Sequence, residues 1–352
     1  MIRNVAGKFW WLLPVSILIA SVSFAGYLLR PDSAGSVELV DCAIEAPDDY
    51  TCWQRRLQDM VETQSPKAAL DDARKYYNTV PLISGNCHQF AHEIGRAAGN
   101  KYTDVAEAYR HGDDFCASGY YHGVLEAVAQ RVGPDRLMGM VNEICLTFKN
   151  EEPYSLTHYN CAHGLGHGMM AVVHGELFDA MEGCDNYTDS WERESCHSGV
   201  FMENIISKNN PNHTTTYLRD DEPLYPCTDV ETQYKQACYI NQTSHALTVV
   251  GGDFNRVFEL CLEVEEPFDA TCLQSLGRDA SGNSTHIMES AAALCEQGPT
   301  AFAQEHCFIG AAKDFIYHFQ TLDDGLNLCR AATVAAVRES CLREAEFFHS
   351  TL

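Results

Sequence analysis

The sequence lacks the short motifs that mark the common enzyme classes. It contains no Gly-x-Ser-x-Gly nucleophile turn, no glycine-rich phosphate loop, no dinucleotide fingerprint and no Cys-x-x-Cys-His haem attachment motif. The zincin pattern His-Glu-x-x-His is also missing, because His92 and Glu93 are followed by Arg96 where the second histidine would stand. Hydrolysis and phosphoryl transfer therefore have no support in the sequence.

Positive charge is scarce as well. The chain has 24 lysine and arginine residues against 49 aspartate and glutamate residues, a formal net charge of −25. Binding to the phosphate backbone needs clustered lysine and arginine, so the sequence predicts no nucleic-acid partner. The excess of carboxylates predicts a solvated acidic surface, which would attract cations or a basic protein or peptide partner.

Strand signals are nearly absent, whereas helical patterns recur together with the cysteines. The sixteen cysteines form eight neighbouring couples: Cys42/Cys52, Cys87/Cys116, Cys145/Cys161, Cys184/Cys196, Cys227/Cys238, Cys261/Cys272, Cys295/Cys307 and Cys329/Cys341. From Cys161 onward, the second cysteine returns after 35, 42, 34, 35 and 34 residues, a period typical of stacked helix-turn-helix repeats. We predict an all-α fold of helical hairpins with one disulfide per repeat, arranged as a solenoid that is either open or closed into a toroid.

The number and regularity of the couples favour disulfides over metal-binding thiols. Sixteen paired cysteines suit an oxidising compartment. Zinc sites use Cys-x-x-Cys knuckles or Cys/His quartets, and the chain has no Cys-x-x-Cys, so thiol-bound zinc is the weaker alternative. Each disulfide would close a loop of roughly a dozen residues and stabilise the fold by about 2 to 3 kcal/mol.

Small residues recur three positions after the second cysteine of most couples. They are Gly119, Gly164, Gly199, Ser275 and Gly310, and Asn241 interrupts the series. Glycine within a helix costs about 1 kcal/mol relative to alanine, so its return at one repeat position predicts that a neighbouring helix approaches closely there.

The N-terminus predicts how the chain reaches an oxidising compartment. Arg3 and Lys8 precede an uncharged stretch, residues 9–29, which is long enough to cross a bilayer. We expect residues 1–30 to form a cytoplasmic stub and an uncleaved signal anchor, with the bulk of the chain extracytoplasmic. The alternative is cleavage after Ser23-Phe24-Ala25, which would release a secreted protein.

The rest of the chain divides by composition. We expect residues 31–79 to form a linker and N-terminal capping helices, and residues 80–352 to form the repeats, with a histidine-rich half at 80–205 and a histidine-poor half at 206–352. Four sequons that fit a glycoprotein begin at Asn186, Asn212, Asn241 and Asn283.

Histidine spacing in the first half indicates a metal site. His88 and His92 are four residues apart, as are His163 and His167, so each pair shares one helix face and is within reach of one ion. His122 or Glu126, from the repeat between the two pairs, would supply a third ligand. The candidate ligands are His88, His92, His122, His163, His167, His174 and Glu126, a set that suits zinc, copper or iron.

Two other interpretations of the histidines stay open. Glycine-flanked histidines in tightly packed helices can simply donate hydrogen bonds to carbonyl groups of the next hairpin. Alternatively, a toroid with the histidines around a central pocket would favour a metal-dependent enzyme over a binding scaffold. Glu93, Glu126 and Glu203 lie near the histidines in sequence and could act as acid, base or supporting groups in such an enzyme.

The hairpins of residues 80–352 resemble secreted cysteine-rich tetratricopeptide-like proteins, which carry one cysteine couple per repeat of similar length. The resemblance is one of architecture, since the tetratricopeptide Trp/Leu/Gly/Tyr pattern is not met and most couples are 11 or 12 residues apart. It implies a binding scaffold, which is an inference from fold alone.

Overall fold

The computed structural model describes residues 41–209 and 215–351, and within these ranges every regular element is a helix. The α-helices are α1 Cys42–Glu45, α2 Tyr50–Thr63, α3 Pro66–Tyr76, α4 Pro81–Gly85, α5 Cys87–Lys101, α6 Val105–Tyr109, α7 Gly119–Val132, α8 Pro134–Ile144, α9 Leu146–Glu151, α10 Leu156–Val172, α11 Leu177–Cys184, α12 Ser190–Ile206, α13 Thr232–Val249, α14 Phe254–Leu262, α15 Phe268–Asn283, α16 Met288–Cys295, α17 Ala301–Phe319, α18 Leu322–Arg330 and α19 Ala335–His349. A 3₁₀ turn, Ser207–Asn209, follows α12. The all-α prediction is confirmed for this part of the chain.

Polar side chains fix where the long helices begin. Ser155 accepts a hydrogen bond from the backbone N–H of His158 at the start of α10. Asp189 accepts from the N–H groups of Trp191 and Glu192 at the start of α12. The first N–H groups of a helix have no partner inside it, so these side chains stabilise the helix starts.

Eight disulfides connect the helices, and they are the eight couples expected from the sequence. The paired Cα atoms lie 5.4 to 5.9 Å apart, as is usual for disulfides. Cys295 at the end of α16 is joined to Cys307 in α17, and Cys329 in α18 is joined to Cys341 in α19. All sixteen cysteines lie in the described ranges and none is free. The prediction of one disulfide per helical hairpin is confirmed.

The longer helix of each hairpin belongs to one continuous row. The row runs through α5, α7, α10, α12, α13, α15, α17 and α19, and each helix packs on the next. The shorter helices, such as α11 and α16, pack against the long helices of their own hairpins. At the N-terminal end, α2 and α3 pack on α5.

Glycine allows neighbouring helices of the row to cross at very short distance. A Cβ atom on Gly199 would lie 2.0 Å from the carbonyl oxygen of His163, and one on Gly310 would lie 1.9 Å from that of Gln274. Any side chain there would push the two helices apart. The close contacts predicted from the repeated small residue are confirmed at these two crossings.

The helices are less closely packed at the third position after the second cysteine in other repeats. A Cβ atom on Gly164 would lie 3.3 Å from the Cα atom of His122, so the helices there are slightly further apart. At Asn241, which interrupts the glycine series, the buried side-chain amide donates a hydrogen bond of 3.2 Å to the carbonyl oxygen of Ser198. A hydrogen bond thus replaces the close backbone contact in α13.

The row of long helices curls until distant repeats meet. The Tyr317 hydroxyl, near the end of α17, forms hydrogen bonds with the Ser118 hydroxyl before α7 and with the Asn160 side chain in α10, at 2.5 and 3.4 Å. A cavity of about 1830 Å³ lies inside this curve. Its lining residues come from helices and loops along the chain, the first being Tyr50 in α2 and the last His318 in α17.

Several sequence expectations concern the surface and the N-terminus. The described residues contain no helix that is both long and apolar enough to cross a membrane. The predicted anchor at 9–29 lies outside the described ranges, as does the sequon at Asn212. Asn186 and Asn283 are exposed, but Asn241 is 2% exposed and its amide is hydrogen bonded, so this sequon is inaccessible in the folded protein.

Candidate metal centre

Five of the histidines singled out by spacing lie together in three adjacent helices. Helix α5 carries His88 and His92, α7 carries His122, and α10 carries His163 and His167. The ring centres of neighbouring members are 4.6 to 5.4 Å apart. Four of the five are almost fully buried, at 0 to 4% exposure, and His88 is partly buried. We call these five side chains the histidine cluster.

The pair on α5 places two nitrogen lone pairs face to face. The Nδ1–H of His88 donates to the carbonyl oxygen of Cys116 at 2.9 Å, and the Nδ1–H of His92 donates to the Glu126 carboxylate. Both ring protons are therefore on Nδ1, because neither acceptor can donate one. When both rings are neutral, their Nε2 lone pairs face each other at a separation of 3.0 Å.

The pair on α10 has a similar geometry, although the partner of His163 is a hydroxyl that can donate as well as accept. The Nδ1 atom of His167 is hydrogen bonded to the Glu203 carboxylate at 2.8 Å, and Nδ1 of His163 is hydrogen bonded to the Tyr159 hydroxyl at 3.1 Å. The two Nε2 atoms lie 3.2 Å apart. Each pair thus directs both Nε2 atoms to a common point.

His122 lies between the two pairs and has no hydrogen bond at either ring nitrogen. It is 3% exposed, so bulk solvent has little access to its ring nitrogens. Buried polar groups are nearly always hydrogen bonded, and an exception calls for a specific explanation such as an ion. The His122 ring is stacked on His167, with ring centres 4.6 Å apart, and lies 4.8 Å from His163.

The carboxylates next to the cluster differ in charge state. Burial alone would raise the pKa of Glu126, but the contact with the Arg96 guanidinium and with His92 outweighs it and holds that pKa below its usual range. Arg96 also pairs with Glu93. Burial and the charge of Glu126 raise the pKa of Glu203 to about 7. Glu126 is therefore ionised at neutral pH, whereas Glu203 is partly protonated.

Four of the five cluster histidines are neutral at neutral pH. Burial, with smaller contributions from the neighbouring rings, holds the pKa values of His88, His122 and His163 well below their usual value. The same causes lower the pKa of His167 to about 3. Neutral imidazole is the form that binds a metal ion.

Three groups of side chains bring one possible ligand atom each to within 4.8 Å of the others. They are His88, His92 and His122; His122, His163 and His167; and His92, Glu126, His167 and Glu203. The predicted ligand His174 belongs to none of them. Helix α10 ends at Val172, and His174 is exposed in the following turn with a φ of 58°. A separation of seven residues would put His174 on the same face as His167 only if the helix continued, and the helix ends before His174.

Some supporting residues were not identified from the sequence. Arg96, which connects Glu93 to Glu126, attracted notice only as the residue that breaks the zincin pattern. Its spacing of four residues from His92 places it on the same helix face and could have indicated its role. The Cys116 carbonyl contact depends on how the chain turns before α7, and nothing in the sequence indicates it.

The histidine cluster adjoins the central cavity. His88, His92, Glu126 and Glu203 are among the residues that line the cavity wall. The interpretation of this centre depends on its own geometry, because the chain matches no protein-family model, no curated protein and no solved structure.

Proposed function

We propose that this protein binds transition-metal ions through the histidine cluster, as a helical-repeat protein outside the cytoplasm that residues 9–29 anchor to a membrane. The eight disulfides agree with an oxidising, extracytoplasmic environment. The acidic surface agrees with attraction of cations or of a basic protein or peptide partner.

The observation that carries the proposal is the pair of facing Nε2 atoms on His88 and His92. Two lone pairs 3.0 Å apart repel each other unless a proton or a metal ion lies between them. Burial disfavours a proton on His88, because it holds the pKa of that ring well below its usual value. Two histidines bound to one tetrahedral ion place their nitrogens about 3.3 Å apart, given metal–nitrogen distances of about 2.0 to 2.1 Å. The Nε2–Nε2 separations in the structure, 3.0 and 3.2 Å, are close to that value.

The surrounding groups suit a metal as well. A histidine ligand usually donates its second ring N–H to a carboxylate or a carbonyl oxygen, which fixes the ring and increases its basicity. Glu126, Glu203 and the Cys116 carbonyl stand in this position toward three of the outer rings. Imidazole nitrogen suits zinc, copper and iron, and the donor set does not select one among them.

Packing alone explains other histidines of this chain, but not His122. His158 is fully buried, and both of its ring nitrogens are used: Nε2–H donates to Glu192 at 2.8 Å, and Nδ1 accepts from the Tyr154 backbone N–H at 3.1 Å. His122 is equally enclosed and has neither bond. The contrast supports a metal as its missing partner.

A second candidate function is a metal-dependent enzyme. The cavity of about 1830 Å³ beside His88 and His92 is large enough for a small substrate, and the Ser118–Tyr317 contact brings distant repeats together as a closed ring would. Glu203, with a pKa near 7, has the properties of a general acid or base. We rank metal binding first, because it needs only the groups that are present.

Metal content of the purified protein tests the proposal. The double variant His92→Ala/His167→Ala removes a ligand from all three candidate groups, and His174→Ala changes an exposed histidine outside the cluster. After loading with zinc and dialysis, we expect bound zinc in the wild type and in His174→Ala, and its loss in the double variant. Circular dichroism and disulfide mapping check the fold of each variant. Absence of bound zinc, copper and iron from the wild type, or equal content in all three proteins, contradicts the proposal.

A further inference from the structure

We infer that the histidine cluster holds two metal ions, one on each side of α7, and that His122 is the ligand they share. The inference rests on the proposed metal binding and adds the number and the arrangement of the ions. It starts from the order of the helices, in which α7 packs on α5 at one side and on α10 at the other.

Each side of α7 has a complete set of three histidines. His88 and His92 form one group with His122, and His163 and His167 form another with the same His122. Neighbouring helix axes lie about 8 to 10 Å apart, and each of these two groups takes its histidines from two adjacent helices only. Only α7 adjoins both α5 and α10, so its histidine is the one that can serve both ions.

The ring positions fit two tripods. Around a tetrahedral ion, histidine ring centres are about 5 Å apart, from metal–nitrogen distances of about 2.0 to 2.1 Å. In the α5 group the three separations are 4.6, 5.3 and 5.4 Å. In the α10 group they are 5.1, 4.8 and 4.6 Å. Both groups therefore match the spacing expected for three histidines around one ion.

His122 has the chemistry that a shared ligand needs. An imidazole ring carries two nitrogens that point in divergent directions, and each can bind one ion when the ring proton is released to solvent. Both nitrogens of His122 are buried and without hydrogen bonds, whereas each of the other four rings has a hydrogen-bonding partner at Nδ1. The outer histidines thus offer one nitrogen each, and His122 offers two.

The competing arrangement is a single central ion. It would use His92, Glu126, His167 and Glu203, which form the third group. That ion would displace the contacts of His92 with Glu126 and of His167 with Glu203, and it would leave both nitrogens of His122 without partners. The two arrangements predict different effects of removing His88 or His163.

Zinc stoichiometry of the full-length protein separates them. We expect two zinc ions per chain in the wild type and in the control His174→Ala. His88→Ala should retain only the ion on the α10 side, and His163→Ala only the ion on the α5 side, so each should bind one. His122→Ala, which leaves two histidines on either side, should retain less than one after dialysis. Circular dichroism confirms that each variant is folded.

Copper provides a second measurement of the shared ring. Two Cu²⁺ ions bridged by one imidazolate, the deprotonated ring, are magnetically coupled, so the wild-type electron paramagnetic resonance signal should integrate to well below two spins at low temperature. His88→Ala should give the full signal of one isolated ion.

Three results would overturn the inference. One is a single ion in the wild type that persists in both His88→Ala and His163→Ala, which identifies the central site and leaves metal binding itself intact. Another is two copper ions whose spins are uncoupled, which excludes a shared His122. The third is no bound metal at all, in which case the proposed function fails too.

Discussion

The outer histidines are held in place by the partners of their Nδ1 atoms. Glu126 and Glu203 accept from His92 and His167, and both carboxylates lie on a neighbouring helix. These contacts fix the orientation of the Nε2 atoms, and for the proposed ion they should increase the affinity without coordinating it.

Removal of that negative charge should weaken binding. We expect Glu126→Gln and Glu203→Gln each to lower zinc affinity by roughly 10- to 100-fold, because glutamine still accepts the hydrogen bond but no longer polarises the ring. Calorimetric titration measures the change, with Glu143→Gln, an exposed change in α8, as the control. Affinities equal to the wild type in both variants would show that the carboxylates do not support the ligands.

The lowered histidine pKa values predict acid sensitivity of the metal-free protein. His88, His122, His163 and His167 remain neutral in the folded state but take up protons near pH 6.5 when unfolded. The unfolded state then binds more protons, so stability falls as the pH drops below about 6.5, by up to about 1.4 kcal/mol per pH unit for each histidine. Glu203 has the opposite effect on stability. Its pKa is raised to about 7 in the folded state, so between pH 7 and its usual pKa range the folded state binds one more proton than the unfolded state.

Denaturant unfolding of the metal-free protein at pH 7.5, 6.0 and 5.0 measures this effect. We expect a steady loss of stability across the series and a shallower loss in His163→Ala/His167→Ala, which lacks two of the buried rings. A stability that stays constant from pH 7.5 to 5.0 would mean that the rings become protonated in the folded state.

Among the structural elements, the helix crossings depend on glycine in a way that substitution can measure. Gly199 meets the His163 carbonyl oxygen, whereas Gly139 in α8 has nothing within 4 Å of its would-be Cβ atom. The two glycines are both helical, so they differ mainly in surroundings.

Alanine at these two positions should have opposite effects. We expect Gly199→Ala to destabilise the protein by about 1 to 3 kcal/mol, because the added methyl group forces α10 and α12 apart. Gly139→Ala should stabilise it by up to about 1 kcal/mol through helix propensity. Thermal unfolding gives both values, and a neutral Gly199→Ala would contradict the tight crossing.

The hairpins and their disulfides could be predicted because each repeat contains both cysteines of its disulfide within a short stretch of sequence. One cysteine ends a helix and a second lies within the first two turns of the next, as in Cys295 and Cys307, and the spacing leaves little choice of partner. The histidine pairs were accessible for the same reason, since a separation of four residues fixes a shared helix face. The end of α10 before His174 was missed, because no proline follows Val172, and Gly175 comes only after His174.

Long-range features could not be predicted in this way. The contact of Tyr317 with Ser118 joins residues 199 positions apart and depends on small rotations added over several repeats. The unpartnered state of His122 is also a property of three packed helices together, and no local pattern contains it.

On the scale of the whole molecule, the eight disulfides suggest an oxidising environment outside the cytoplasm for the histidine cluster. We expect residues 9–29 to remain attached as a membrane helix. Intact-mass analysis of the membrane fraction tests this, because an uncleaved chain retains Arg3 and Lys8. A mature chain that begins near Gly26 would instead show a cleaved signal peptide and a released protein.

The location of bound metal tests the central claim most directly. Crystals of the full-length protein grown with zinc, measured at the zinc absorption edge, give the positions of the ions without assumptions about ligands. We predict anomalous peaks about 2.0 to 2.1 Å from the Nε2 atoms of His88 and His92, and a second set at His163 and His167. Anomalous peaks only at surface carboxylates, or none in the histidine cluster, would contradict the account.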